Sequence, residues 1–166
     1  MAWCRRDSKG LVLHLEEGEV LLLRFLGGEL GRLLQDGDFS KSAMHAFSPR
    51  QQRQADPNSA PSELDEAMDA ELLAFRLERL EAVSAEILGE PTPSGKGLTL
   101  KLEPARVDTW LGWLTDLRLL LGAVLGLGPE NQDPLDESDP DEWTPEQRMY
   151  VFLSGLQDIL LRKSGF

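Results

Sequence analysis

The stretch GLVLHLEEGEVLLLRFLGGELGRLL (residues 10–34) aligns without gaps on GLTLKLEPARVDTWLGWLTDLRLLL (97–121), at a constant offset of 87. Nine of the 25 aligned pairs are identical, although a leucine-rich chain inflates such a count. The stronger constraint is that both segments change hydrophobic period at the same point. Leu11, Leu13 and Leu15 alternate with Val12 and His14, as Leu98, Leu100 and Leu102 alternate with Thr99 and Lys101. Residues two apart share one face of a strand. Beyond Glu16 and Glu103 the apolar residues recur at helical spacing. Each unit therefore predicts a short strand feeding a helix. A lone short strand is unstable, so the two are expected to pair as a small ribbon, antiparallel if a twofold axis relates the units.

Helix punctuation supplies the rest of the architecture. Ser62 precedes a periodic run ending near Gly89, a residue suited to a C-cap. Pro104 sits in a first helical turn, and that helix is expected to end near Gly126 to Pro129. Thr144-Pro145-Glu146-Gln147 combines an N-cap, a first-turn proline and a capping-box glutamine, opening a final helix to about Arg162. An irregular segment (36–61, with a short helix after Ser48-Pro49), a PTPSG turn and an acidic loop (129–142) lie between. Nothing divides residues 1–166 into two domains. The expected fold is mainly α (α+β): a helical single domain with a two-stranded antiparallel ribbon and two pseudo-symmetric strand–helix units.

Charge narrows the function classes. The 29 acidic against 17 basic residues give a formal charge of −12, which repels phosphate backbones. No direct nucleic-acid binding is expected. No apolar run reaches the roughly 20 residues of a membrane span, and MAWCRRDSKG is not followed by the bare apolar stretch of a signal peptide. With one cysteine no internal disulfide forms, so a cytoplasmic location is expected. His14 and His45 are far apart in sequence and give no metal set or nucleophile–base pair. ENQDPLDESDPDEW lacks the alternating ligands and central glycine of a calcium loop. Neither catalysis nor a cofactor nor a metal is expected.

Two arginines stand out. On a wheel of the central helix, Leu64, Met68, Leu72, Leu73, Phe75, Leu77, Leu80, Val83 and Ile87 form an apolar arc with Arg76 near its middle. In the helix from Pro104, Val107, Leu111, Leu114, Leu121 and Leu125 enclose Arg118. A buried guanidinium must be paired, because desolvating it alone costs at least several kcal/mol. Asp116 points about 200° away from Arg118, so each is expected to reach a different element. Glu71, Glu78, Asp65, Asp69 and Asp158 are the candidate acids for the arginines. Arg118 is expected to be largely buried. Gly27 and Gly31 share one side of the first helix and suggest close helix contact. Trp110 and Trp113 are expected in the core.

WLGWLTDLRLLLGAVLGL resembles the Trp-Leu…Asp-Leu-Arg-Leu…Leu-Gly…Leu-Gly pattern of the bacterial domain-of-unknown-function family numbered two thousand and seventeen. That family is common in actinobacteria and often encoded beside the Clp protease adaptor. LHLEEGEVLLLRFLGGELGRLL, AFRLERL and YVFLSGLQDILL resemble further parts of it in order. The family's Pro-Asp-x-Tyr stretch has no clear match in FSPRQQRQADP. The resemblance implies a non-enzymatic regulatory protein in stress or transcriptional regulation, with Phe75, Arg76, Asp116, Arg118 and Gly122 as the positions carried over. These residues and Trp110 are the candidates for partner binding, ligand binding or structural work. The expected function is that of a cytoplasmic adaptor acting through an unknown protein partner, and a homodimer is compatible with it. The alternative is a small-molecule or anion sensor using Arg76 and Arg118.

Overall fold

A computed structural model describes residues 1–36, 63–87, 97–125 and 139–165. The chain begins with strands β1 (Trp3–Asp7) and β2 (Gly10–Leu15), followed by helices α1 (Glu17–Asp36) and α2 (Glu63–Ile87). Strand β3 (Leu98–Leu102) leads into α3 (Pro104–Leu125), a single 3₁₀ turn (Pro140–Glu142) and α4 (Pro145–Ser164). The segment after Ser48-Pro49, His45, the caps at Ser62 and Gly89, the PTPSG turn and the acidic loop up to residue 138 lie outside the described residues.

The repeat is visible as geometry. Strands β2 and β3 pair antiparallel, with Leu11 opposite Leu102, Leu13 opposite Leu100 and Leu15 opposite Leu98. Because Leu13 and Leu100 are themselves repeat equivalents, an approximate twofold axis passes between them. The glycines at the repeat starts obey the same symmetry. Gly10 and Gly97 both have positive φ, and a Cβ on each would lie about 2 Å from the carbonyl oxygen of Leu102 or Leu15 respectively. The helices open alike, with the Glu16 carbonyl accepting from Val20 N–H and the Glu103 carbonyl from Val107 N–H.

The ribbon has a third strand, in correction of the two-stranded expectation. Strand β1 pairs antiparallel with β2, Cys4 opposite Leu13, giving the order β1-β2-β3. Periodicity misses it because WCRRD sends only Cys4 inward as an apolar residue. A local cue was nonetheless present in Asp7-Ser8-Lys9-Gly10. The Asp7 carboxylate accepts from Lys9 N–H at 2.8 Å, and Gly10 takes the positive φ. Burying Cys4 also pushes its thiol pKa up.

Leucines of the inner sheet face pack with α1, α3 and α4 into one core. On the outer face His14 stacks on Trp3, ring centroids 5.3 Å apart, and hydrogen-bonds Thr99 Oγ1 at 2.9 Å. Helix α2 packs on α1 and α3, while α4 packs on α3 and the sheet. Thr144 and Gln147 make the full reciprocal capping box. At the other end of α4, Arg6 Nε donates to the Lys163 carbonyl at 2.9 Å, placing a cation at the negative end of the helix. Among the described residues no helix is long and apolar enough to cross a membrane.

Candidate functional site

Every notable residue of WLGWLTDLR is placed by its position on α3. Trp110 and Trp113 point into the core, fully buried and edge to face with ring centroids 5.5 Å apart. Trp110 Nε1 donates to Glu86 at 3.0 Å, and Glu86 also pairs with Arg106. One turn apart, Gly112 and Asp116 cooperate. A Cβ at Gly112 would lie 2.7 Å from Arg79 Cδ, so the missing side chain leaves a channel for the Arg79 stem. Its guanidinium then reaches Asp116, Nη2 to Oδ2 at 3.0 Å. Arg76 approaches the other oxygen, Nε to Oδ1 at 3.4 Å.

Among the described residues this triad holds the buried charges. Arg76 and Asp116 are 3% and 2% exposed, whereas Arg79 keeps an edge in solvent. Burial pushes the Asp116 carboxyl above the ordinary aspartate range, and the two arginines only partly offset it. Burial likewise lowers the Arg76 pKa, which Asp116 counteracts. The arginine's own value is high enough to keep it charged near neutrality. Ions taken this far out of water gain little net stability from pairing. Losing one partner is nonetheless costly, about 3–5 kcal/mol, because the other remains buried. The triad therefore fixes how α2 seats on α3.

Arg118 lies on a different face and works separately. Its Nη1 donates to Gln157 Oε1 at 2.5 Å and Nη2 to the Tyr150 hydroxyl at 3.3 Å, with the guanidinium 5.4 Å from the Tyr150 ring centre. The Gln157 amide in turn donates to Thr115 Oγ1 at 2.8 Å and the Leu111 carbonyl at 3.3 Å. This polar clasp joins α3 to α4. Arg118 is half-buried, and its partners on another element are an amide and a phenol where an acid or backbone carbonyls were expected.

The contacts of the described residues add partners that were not among the suggested acids, and the side chains of Asp65 and Asp69 lie outside that description. Arg76 takes Asp116, and Arg118 takes Gln157 and Tyr150. Phe75, on the apolar arc of α2, is 52% exposed, as Leu64 and Met68 are at 65% and 37%. The wheel could not separate the core side of α2 from a second apolar stripe beside it. Gly122 is buried near the end of α3. Arg79, Tyr150 and Gln157 escaped sequence reading, though Tyr150 and Gln157 are seven apart on one helix face.

Cavities among the described residues lie apart from these contacts. One of about 230 Å³ lies among Arg6, Asp7, Gly10, Pro104, Asp108 and Lys163, with both signs of charge on its walls. The other, about 190 Å³, is lined by Leu23, Arg24, Gly27, Gly28, Leu80 and Trp113, among others. Among the described residues no group of three His, Cys, Asp or Glu side chains is placed to hold a metal ion.

The family model described as Domain of unknown function (DUF2017) matches residues 1–163. The chain belongs to that family. The DUF2017 match takes in both strand–helix units, the Asp116 triad and the Arg118 clasp. No curated protein and no solved structure matches the chain.

Proposed function

We propose that this DUF2017 protein is a non-enzymatic cytoplasmic regulatory or adaptor protein that acts by binding another protein, in stress or transcriptional regulation. The observation that carries the reading is the stripe of Leu64, Met68 and Phe75 on α2. These three lie within about 40° on the helix wheel, and all are exposed. In a chain with a formal charge of −12, large apolar side chains held at the surface oppose solubility and add little to the fold. Apolar surface rimmed by charge is what protein interfaces use, and aromatic residues such as Phe75 are enriched in their cores. Glu63 and Glu71 are exposed near the stripe, which favours a partner presenting apolar and basic groups together. The anion-sensor alternative is less favoured, because Arg76 and Arg118 face different elements and are engaged by Asp116 and by Gln157 with Tyr150.

The test is affinity purification from the native cell with the wild-type chain and with Leu64→Glu/Phe75→Glu. A stoichiometric protein should accompany the wild type and be lost from the variant, with helical content and melting temperature preserved. A partner retained equally by both would remove the stripe from the account.

A further inference from the structure

We infer that α1 is a self-association surface, on which a second copy of this chain packs its own α1 antiparallel about a twofold axis. Glu17, Leu21, Arg24, Phe25, Gly28 and Arg32 are all exposed. They fall within an arc of about 100° on the helix. Along the helix they form two adjacent rows at spacing four: Glu17-Leu21-Phe25, which is acidic and bulky, and Arg24-Gly28-Arg32, in which Arg24 donates to the Ile87 carbonyl at 2.7 Å and Arg32 pairs with Glu29 on the same helix while staying open to a further acid. Rows at this spacing are the ridges that interdigitate when helices pack.

The two rows complement each other only when one helix is reversed. With the axis between Arg24 and Phe25, Glu17 of one copy meets Arg32 of the other, Leu21 covers Gly28, and Phe25 lies beside Arg24. Each contact then occurs twice, as an isologous interface requires. The charge pairing selects the antiparallel arrangement, since parallel packing sets Glu17 on Glu17 and Arg32 on Arg32. Shape agrees with charge. Leu21 and Phe25 are each 57% exposed. The cavity of about 190 Å³ has Arg24 and Gly28 in its wall and Leu23, Leu80, Ile87 and Trp113 as an apolar lining. A Cβ on Gly28 would meet nothing within 4 Å, so the middle of its row is open to a neighbour. This surface is distinct from the α2 stripe and stands without it.

Sedimentation equilibrium on the full chain, from micromolar to hundreds of micromolar, should show a reversible dimer of 18.5 kDa chains. Phe25→Glu should weaken it by more than about tenfold. Arg32→Glu should also weaken it, and Glu17→Arg/Arg32→Glu should recover most of the loss. Circular dichroism on each variant verifies that α1 stays helical. A Leu21→Cys chain mixed with a Gly28→Cys chain should form a mixed disulfide faster than either alone. A chain monomeric throughout the range, a dimer indifferent to Phe25→Glu, or a charge swap without rescue would each overturn the inference.

Discussion

Asp116 shows how much one side chain can organise. Its two oxygens face Arg76 and Arg79 on α2, and Gly112 one turn away lets the Arg79 stem pass. Asp116→Ala should destabilise the fold by about 3–5 kcal/mol, since it removes the carboxylate that Arg76 and Arg79 share in the buried triad. Arg76→Met/Asp116→Leu should cost much less, because it removes both charges together. The acid with raised pKa also has a pH signature. Its proton is held more tightly in the folded chain, so its contribution to stability is full below about pH 4, the ordinary aspartate value, and is lost as pH rises through the folded value. Urea titrations should therefore show the wild type's stability relative to the double variant falling as pH is raised from 4 to 7. A relative stability that grew with pH would mean that the two arginines outweigh desolvation.

Among the elements, the strand–helix unit is the part most legible in sequence. The change from period two to helical spacing after Glu16 and Glu103 marked both strands, because alternation is a property of each strand alone, while their antiparallel partnership followed from the twofold relation of the repeat. Strand β1 was less legible: Arg5, Arg6 and Asp7 leave only Cys4 to signal an inner face. The twin glycines offer a test of the symmetry itself. Gly10→Ala and Gly97→Ala should each cost at least about 1–3 kcal/mol, because both need positive φ and both leave a Cβ against a carbonyl. The two losses should be similar in chemical denaturation. A large inequality would show that the axis through Leu13 and Leu100 does not extend to the energetics.

For the whole molecule, the governing quantity is the formal charge of −12. Nucleic-acid affinity rests mainly on Lys and Arg neutralising phosphates, and base contacts seldom replace that contribution. Several arginines here are committed elsewhere: Arg6 to the end of α4, Arg76 and Arg79 to Asp116, Arg106 to Glu86, and Arg118 to Gln157. Purified protein should show no micromolar binding to random duplex DNA at about 50 mM salt, where phosphate-driven binding is strong. Binding that fell steeply with added salt would demand a basic surface and a different regulatory route.

Local patterns in the chain determined the two strand–helix units and the Thr144 capping box. Each depends on residues within a few positions of one another, where backbone geometry alone sets which side chains share a face. Tertiary structure decided the partners. Arg79 and Asp116 are 37 residues apart, and Arg118 and Gln157 are 39 apart. Their meeting follows from how whole helices seat on one another. Phe75 makes the same point in reverse: its place beside Leu72 and Arg76 is set by the helix, but only the extent of α3 and its neighbours leaves it at the surface. Periodicity orients a side chain relative to its own axis. Packing between elements decides what that side chain meets.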